Sequence, residues 1–204
     1  MTNRFEERYR TGDLPWDIKR PDYNLVAVVD SHPIAPCKAL DVGCGTGDNA
    51  IFLAREGFRV TGVDYSEFAI GQARTKSADS KADVAFHVVD FLHQNVPGAP
   101  FGFIFDRGCF HSFDNEPELR KYARNVYKHL NHGGLWLTLA GNKDDGRLDI
   151  GPPKLSATEV VSIVEKYFEI VLLNSGRFDS NDTNPSKIWI CLMKKRSLFS
   201  FDPV

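Results

Sequence analysis

The sequence predicts an α/β fold in which a seven-stranded, mostly parallel sheet carries helices on both faces. From about residue 38, short apolar runs rich in β-branched and aromatic residues alternate with longer segments of helical periodicity. The window 39–50 reads as a strand, a glycine-rich turn and a helix start, which is the order of a parallel βα unit. The last strand is expected to be antiparallel.

Five strands are predicted in the first two thirds of the chain and two more near its end. They are Ala39–Val42, Arg59–Val63, Val84–Val89, Phe103–Asp106, Gly134–Leu139, Phe168–Leu173 and Ile188–Met193. The stretch 174–187 between the last two is full of Gly, Ser, Asn and Asp and leaves no room for a crossover helix. We therefore expect these two strands to be antiparallel neighbours.

Helices are predicted between the earlier strands. Apolar positions recur at helical spacing over Asp48–Glu56 and Glu116–Leu130, Ser66 is placed to cap a third helix, and the run 156–159 opens a fourth. Residues 1–37 differ, because a short helical stretch at 5–10 is followed by a turn at 11–17. This segment is expected to lie over the core as an arm.

The composition predicts a single domain over residues 1–204, with the arm at 1–37 and the core at 38–194. Apolar residues make up 42% and charged residues 25% of the 204, and no repeat or low-complexity tract interrupts them. A net charge of -2 disfavours nucleic acid as a partner. The apolar runs are too short to span a bilayer, which needs about 20 residues, so no membrane partner is expected.

The cysteines and the N-terminus favour a cytoplasmic protein. Four cysteines lie far apart without a C-x-x-C pair, which indicates reduced thiols, and the charged N-terminus lacks a secretory apolar centre. His129 and His132 fit a helix end followed by glycines better than a metal pair. No metal site is predicted.

The turn after the first strand is the strongest functional signal. Gly43, Gly45 and Gly47 alternate, which lets the backbone approach a ligand without an intervening Cβ, and the helix opening near Asp48 supplies unpaired N–H groups. Asp64 ends the second strand 21 positions after Gly43, where a carboxylate can accept both hydroxyl hydrogens of a ribose. A nucleoside-bearing ligand is therefore expected here.

The glycine spacing separates two classes of ligand. A dinucleotide site requires G-x-G-x-x-G, whereas the sixth position here is Asp48, whose charge would face a diphosphate. A nicotinamide-dependent oxidoreductase is thus disfavoured. The tripled glycine preceded by Asp41 resembles motif I of class I S-adenosylmethionine-dependent methyltransferases, whose ligand carries an ammonium, a sulfonium and a carboxylate but no phosphate.

This resemblance, which covers roughly residues 9–194, implies a Rossmann-like core and a set of cofactor-binding residues. In the family, the acid after the third strand, here Asp90, hydrogen-bonds the adenine amino group and its neighbour, Phe91, packs on the base. A helix cap or loop acid is the other interpretation of Asp90. The implied set is Trp16, Asp41, Gly43, Cys44, Gly45, Thr46, Gly47, Asp64, Tyr65, Asp90, Phe91 and Arg107.

Two segments resemble the branch that contains the thiopurine and the thiol or halide methyltransferases. One is the run 9–17 with Pro21 and Leu25, which includes Pro-Trp-Asp, and the other is Asp-Arg-Gly at 106–108. The resemblance implies that Trp16 shields the sulfonium from water, although it could also anchor the arm. Arg107 is expected to bind a substrate anion or the cofactor carboxylate, or to pair with an acid.

Arg107 and His111 are the candidate catalytic residues. His111 could act as a base for a thiol or hydroxyl proton, or serve as a hydrogen-bonded core histidine. Phe110 and Phe113 are expected to wall an apolar pocket, and the polar loop 141–147 to border it. We expect S-adenosylmethionine-dependent methyl transfer, without a metal, to a small thiol or other soft nucleophile. Oxygen or nitrogen acceptors and a non-catalytic cofactor-binding partner remain alternatives, and the oligomeric state is unknown.

Overall fold

A computed structural model describes residues 2–32, 34–147 and 152–197, with side chains from Glu6 onward. The two ends of the predicted 1–204 span, residue 1 and residues 198–204, lie outside the described part. The strands are β1 (Lys38–Val42), β2 (Arg59–Asp64), β3 (Val84–Val88), β4 (Phe101–Arg107), β5 (Leu130–Gly141), β6 (Phe168–Arg177) and β7 (Lys187–Lys195).

The helices follow the expected alternation from β1 onward. They are α1 (Thr2–Thr11), α2 (Tyr23–Ser31), α3 (Asp48–Arg55), α4 (Glu67–Asp79), α5 (Glu116–His129) and α6 (Ala157–Val164). Ser66 caps α4 by accepting a hydrogen bond from the Ala69 amide, as predicted. Ser156 and Glu159 bond each other's backbone amides at the start of α6. These caps satisfy N–H groups that a helix start leaves without partners.

The sheet has the order β3-β2-β1-β4-β5-β7-β6. The first five strands in this order are parallel, and β7 pairs antiparallel with both β5 and β6. The predicted fold class and the antiparallel last pair are therefore confirmed. The arrangement brings the carboxyl ends of β1, β2 and β4 to one edge of the sheet, where open α/β sheets hold ligands.

Apolar side chains fill both faces of the sheet. One core cluster joins α5 and α6 to the face that carries Leu40, Ile104 and Trp136. The other joins α2, α3 and α4 to the face that carries Phe103, Phe105 and Leu137. Central strands that are buried on both faces read as continuous apolar runs, which explains why the sequence revealed them.

The helix α2 was not predicted from the sequence. Its residues Tyr23–Ser31 include several β-branched side chains, which have low helix propensity and favour strands. The helix is held instead by its context, because Asp22 caps it and Leu25 and Val28 are buried against the sheet. Tertiary packing here outweighs local propensity. No helix of the described ranges is long and apolar enough to cross a membrane.

A polar network is buried beneath the end of β4. The Asp106 carboxylate accepts hydrogen bonds from Trp136 Nε1 at 2.9 Å, Thr138 Oγ1 at 3.1 Å and the Phe110 amide at 2.9 Å. Burial nevertheless raises the pKa of Asp106 to about 6. The network fixes the chain as it leaves β4 toward residues 107–113, since buried polar groups are retained only when they are bonded.

Removal of one donor from this network should destabilise the fold. Trp136→Phe leaves a buried carboxylate oxygen without its indole partner and should lower the free energy of unfolding by at least about 1–3 kcal/mol. Chemical denaturation at pH 7 measures this loss. Trp189→Phe is the matched control, because its indole donates to the Leu155 carbonyl in a half-buried position, and it should cost about 1 kcal/mol or less. Equal losses in both variants would contradict the importance of the Asp106 network.

Candidate active site

The glycine turn after β1 has the backbone that its sequence predicts. Gly43, Gly45 and Gly47 have φ values of 68°, 54° and 89°, which side-chain-bearing residues rarely adopt. A Cβ on Gly45 would lie 2.8 Å from the Tyr9 hydroxyl oxygen. Asp64 fixes the turn, because its Oδ2 accepts the Gly45 amide and its Oδ1 accepts the Ser66 amide, both at 2.9 Å. The turn is therefore both open to a ligand and rigid.

The N-terminal segment lies over this turn and forms a cleft with it. The cleft contains about 470 Å³ of empty space and is lined by Tyr9, Trp16, Asp17, Ile18, Arg20, Gly43, Cys44, Gly45, Thr46, Gly47, Asp48, Asn49 and Arg107. Trp16 donates through Nε1 to the Tyr9 hydroxyl at 3.2 Å, and the two rings meet edge to face. The Arg8 guanidinium lies 4.6 Å from the centre of the Trp16 ring. An aromatic cover thus faces the glycine turn.

Buried carboxyl groups lie beneath the turn at the ends of three neighbouring strands. Asp41, Asp64 and Asp106 end β1, β2 and β4 or come one residue before the end. Burial, together with the charges of Asp106 and Asp64, raises the pKa of Asp41 to about 8. Asp41 is 1% exposed, and its Oδ2 has no hydrogen-bond partner among the described residues. Asp41 does not itself line the cleft, but it leaves an unsatisfied carboxyl oxygen directly beneath the glycine turn.

These features fit S-adenosylmethionine. Its ammonium and sulfonium are positive, so both would be favoured near Asp41 and its acidic neighbours. The side-chain-free turn accommodates close approach of a ligand, and each Asp64 oxygen keeps a lone pair besides the one that its amide donor occupies. The fit rests on the orphaned Asp41 oxygen, because a buried acceptor without a partner is costly unless a ligand completes it.

Lys76 changes the electrostatics that the sequence suggested for Asp48. Lys76, from α4, contacts Asp48 at 2.6 Å and donates to Thr46 Oγ1 at 2.8 Å. Asp48 is therefore ion-paired. Its negative charge disfavours a diphosphate ligand less strongly than the sequence alone suggested. The argument from glycine spacing is unaffected. Sequence reasoning missed Lys76 because only packing of α4 beside α3 brings it to the turn.

Arg107 lies at the cleft, where the sequence predicted it, with protein oxygens around its guanidinium. Its Nε donates to Asp22 at 2.6 Å, its Nη2 to the Asp179 carbonyl at 2.6 Å and its Nη1 to the Trp16 carbonyl at 3.2 Å. An ion pair with an acidic residue was one of the roles predicted for Arg107, and Asp22 is that acidic partner. Neither Asp22 nor Asp179 carried a sequence signal, because both are more than 70 residues from Arg107.

His111 is buried behind the end of β4 and does not line the cleft. It is 4% exposed, and its Nδ1 donates to the Pro153 carbonyl at 2.7 Å, which leaves the Nε2 lone pair free of a proton. Burial and the Arg107 charge lower the pKa of His111 to about 4. A Cβ on Gly141 would lie 2.7 Å from Nδ1, so the ring fits only beside a glycine. His111 is therefore neutral near pH 7.

The aromatic residues near His111 differ from the predicted pocket walls. Phe110 is fully buried and packs on Tyr122 and Trp136, so it belongs to the core and presents no surface to a pocket. Phe113 is half-buried against Tyr122. Phe178, which sequence reasoning missed, has its ring 4.9 Å from the Arg107 guanidinium carbon and 6.1 Å from the His111 ring. Phe178 takes the position of an aromatic wall beside the cleft.

The residues predicted around the adenine follow β2 and β3. Tyr65 is 47% exposed directly after Asp64. Asp90 follows β3, accepts the Leu92 amide at 3.0 Å and pairs with His93 at 2.8 Å, which fits the loop-acid interpretation and leaves the carboxylate one third exposed. The Phe91 ring is buried between Tyr122 and His129, so it has no free face for a base.

Other residues of the cleft had no signal in the sequence. Ile18 and Arg20 line it because the N-terminal segment folds over the glycine turn, and Asn49 lines it from the first turn of α3. Within the described residues, no group of three or more His, Cys, Asp or Glu side chains is arranged to hold a metal ion.

Comparison with known proteins identifies the family. A model described as "Methyltransferase domain" matches residues 39–134. The chain is 32% identical over 186 residues to thiocyanate methyltransferase 1 of Brassica oleracea, which covers 90% of this chain and 78% of that protein. It is 29% identical over 191 residues to 2-heptyl-1-hydroxyquinolin-4(1H)-one methyltransferase of Mycobacteroides abscessus, covering 89% and 83%.

A solved structure has the same fold. The structure described as "Conversion of a Disulfide Bond into a Thioacetal Group during Echinomycin Biosynthesis" is 26% identical to this chain with a TM-score of 0.83, covering 98% of this chain and 93% of that one. The chain therefore belongs to the class I S-adenosylmethionine-dependent methyltransferases, and it is similar to members named for small-molecule acceptors.

Replacement of Asp41 should stabilise the ligand-free protein at alkaline pH. The folded chain holds the Asp41 proton up to about pH 8, whereas an unfolded aspartate releases it near pH 4, so stability from this group falls as pH rises between these values. Asp41→Asn should therefore match wild type near pH 4 and gain by up to about 1.4 kcal/mol per pH unit toward pH 8. Thermal unfolding across this range measures it.

The same variant should bind the cofactor more weakly. Loss of a carboxyl group that can ionise when a cationic ligand binds should raise the Kd for S-adenosylmethionine by about tenfold or more, as calorimetry above pH 8 would measure. Asp83→Asn is the control, because Asp83 is an exposed carboxylate before β3, and it should change neither property. A stability difference that is the same at every pH would show that Asp41 ionises normally.

Proposed function

We propose that this enzyme transfers the methyl group of S-adenosylmethionine to the sulfur of a small thiol or a similar soft nucleophile. The covered cleft is the observation that supports a small molecule as the methyl acceptor. The N-terminal segment lies over the glycine turn and covers one side of the cleft, which favours an acceptor small enough to enter beside this cover. A small acceptor can reach the end of β4 beside Arg107 and Phe178.

Residues of the cleft divide into those that hold the methyl donor and those that exclude water. Asp64 is the candidate for the ribose hydroxyls, Asp41 for the positive methionine end, and the glycine turn for backbone contact. Tyr9 and Trp16 form the cover. When bound, S-adenosylmethionine supplies an activated methyl on a sulfonium, so the protein needs mainly to align and desolvate the acceptor.

The choice of sulfur rests on the relatives and on the branch resemblance. The Brassica relative is named for thiocyanate, and the solved structure with a TM-score of 0.83 is described by conversion of a disulfide into a thioacetal. The segments Pro-Trp-Asp at 15–17 and Asp-Arg-Gly at 106–108 resemble the thiol branch. Trp16 and Phe178 offer apolar, polarisable surface, which suits sulfur better than a strongly hydrated oxygen anion.

The low pKa of His111 restricts its role. A group with a pKa of about 4 is a poor base for a thiol with a pKa near 8.5, because the proton transfer would be uphill by several pKa units. We infer that the acceptor ionises to solvent before it reacts, and that His111, through its hydrogen bond to the Pro153 carbonyl, positions the chain after β4 and does not bind the acceptor. Acidic thiols and anions such as thiolates are then the favoured substrates.

An oxygen acceptor is the second candidate. The Mycobacteroides relative is named for a hydroxyquinolinone, a compound that carries oxygen groups as well as a ring nitrogen. An assay of S-adenosylhomocysteine release across small thiols, thiocyanate, phenols, N-hydroxy heterocycles and amines separates the two. Higher kcat/KM for thiols than for every oxygen compound supports the proposal. Preference for phenols or N-hydroxy compounds over all thiols overturns it.

The pH profile tests how the acceptor loses its proton. For two thiols of different acidity and at saturating S-adenosylmethionine, kcat/KM should rise about tenfold per pH unit up to each thiol's own pKa, because His111, the candidate base, is already neutral near pH 7. His111→Gln should lower kcat by about tenfold, below the roughly 100-fold typical for loss of a general base, and leave both midpoints unchanged. One midpoint shared by both thiols would identify an enzyme base and contradict this role.

A further inference from the structure

The guanidinium of Arg107 connects two segments that are far apart in the chain. It bonds the Trp16 carbonyl and the Asp22 carboxylate in the N-terminal segment, and the Asp179 carbonyl in the loop between β6 and β7. We call Asp22, Arg107 and Asp179 the brace. Arg107 sits at the end of β4, between these segments, and its side chain is 13% exposed. The brace is therefore anchored on the rigid sheet.

Asp22 is the most constrained member of the brace. Its side chain is fully buried, its Oδ1 caps α2 through the Asn24 amide at 2.9 Å, and its Oδ2 accepts Arg107 Nε at 2.6 Å. Its own amide donates to Asn49 Oδ1, in the first turn of α3, at 2.9 Å. One residue thus connects α2, α3 and β4, and a buried charge in such a position requires its partner.

A second contact links the same two segments. Arg20 binds the Asp179 carboxylate with its Nη2 at 2.5 Å and its Nε at 3.2 Å. The Tyr23 hydroxyl donates to the Arg177 carbonyl at 2.8 Å. The N-terminal segment and the loop around residue 179 are therefore joined on both sides of Arg107, and they are expected to move as one unit.

The brace contacts two aromatic residues, Trp16 in the lining of the cleft and Phe178 beside Arg107. Trp16, whose carbonyl is bonded to Arg107, covers the side of the glycine turn, and Phe178, which stacks on Arg107 and precedes Asp179, lies on the side of His111. We propose that Asp22 is a positioning residue for methyl transfer. It fixes the Arg107 side chain, and Arg107 in turn fixes the positions of Trp16 and Phe178, which it contacts. This inference rests on the proposed function.

Asp22→Asn is a sharp test because it separates two roles of this residue. Asparagine caps helices as well as aspartate does, so the bond from Oδ1 to the Asn24 amide can persist. The new amide group would instead face Arg107 Nε, donor against donor, which removes the brace. The variant should keep its fold by circular dichroism. Glu116→Gln is the matched control, because it breaks an exposed Arg–Glu pair on α5 away from the cleft.

The variant should be impaired both in its reaction with the thiol and in its binding of the cofactor product. With a thiol that the wild-type enzyme methylates, we expect Asp22→Asn to lower kcat/KM for the thiol by about 100-fold, as small misplacements of reacting groups do, and to raise the Kd for S-adenosylhomocysteine by about tenfold. Glu116→Gln should leave both within about twofold of wild type. An Asp22→Asn enzyme with unchanged kcat/KM for the thiol overturns the proposal.

A double variant distinguishes positioning from direct contact. If Asp22 acts only through Arg107, then Asp22→Asn combined with Arg107→Gln should be no worse than Arg107→Gln alone. If the two losses multiply, Asp22 contributes independently of Arg107 and the brace is not the cause.

A readout that needs no activity separates this inference from the proposed function. Hydrogen exchange of Asp22→Asn should increase in both residues 14–24 and residues 177–181, and in neither for Glu116→Gln. An increase confined to 14–24 overturns the brace, whatever the acceptor is. If exchange increases in both segments but no thiol, phenol or amine is methylated by wild type, the brace stands and the proposed function fails.

Discussion

The cost of burying carboxyl groups at one edge of the sheet is the constraint on which the site depends. Asp64 and Asp106 offset that cost with hydrogen bonds from backbone amides, an indole and a hydroxyl, and these bonds fix the glycine turn and the chain after β4. Asp41 lacks such compensation at one oxygen. The protein therefore keeps one unsatisfied carboxyl oxygen beneath the glycine turn, which supports the proposed binding of a cationic methyl donor there.

The segment that covers this edge has little intrinsic stability of its own. Helix α2 is rich in β-branched residues, and the turn before it contains no regular structure. Its position depends on contacts with distant elements, chiefly Asp22 with Arg107 and Arg20 with Asp179. A cover attached by polar contacts can exclude water and still open for exchange of ligands, since such segments lie at the less stable end of a fold.

Near the end of β4, where we propose that the acceptor binds, one side chain is neutral and another is apolar. His111 is held in one tautomer by the Pro153 carbonyl and is uncharged near pH 7, while Phe178 stacks on the paired guanidinium of Arg107. A site without a strong base suits a reaction whose donor is already activated. In the proposed function, alignment and desolvation supply most of the rate, and selectivity arises from how easily the acceptor itself ionises.

The sequence by itself determined the sheet, the glycine turn and Asp64, because these depend on local patterns: continuous apolar runs, φ values that favour glycine, and a fixed spacing along one βα unit. Through the resemblance it also predicted Trp16 and Arg107 as site residues, and both line the cleft beside the glycine turn. Only the tertiary structure decided that Phe110 and Phe91 are core residues, that Lys76 neutralises Asp48, and that Asp22 and Phe178 belong beside Arg107. Such pairings join residues that are distant in the chain, and their strength comes from burial, which no local pattern records.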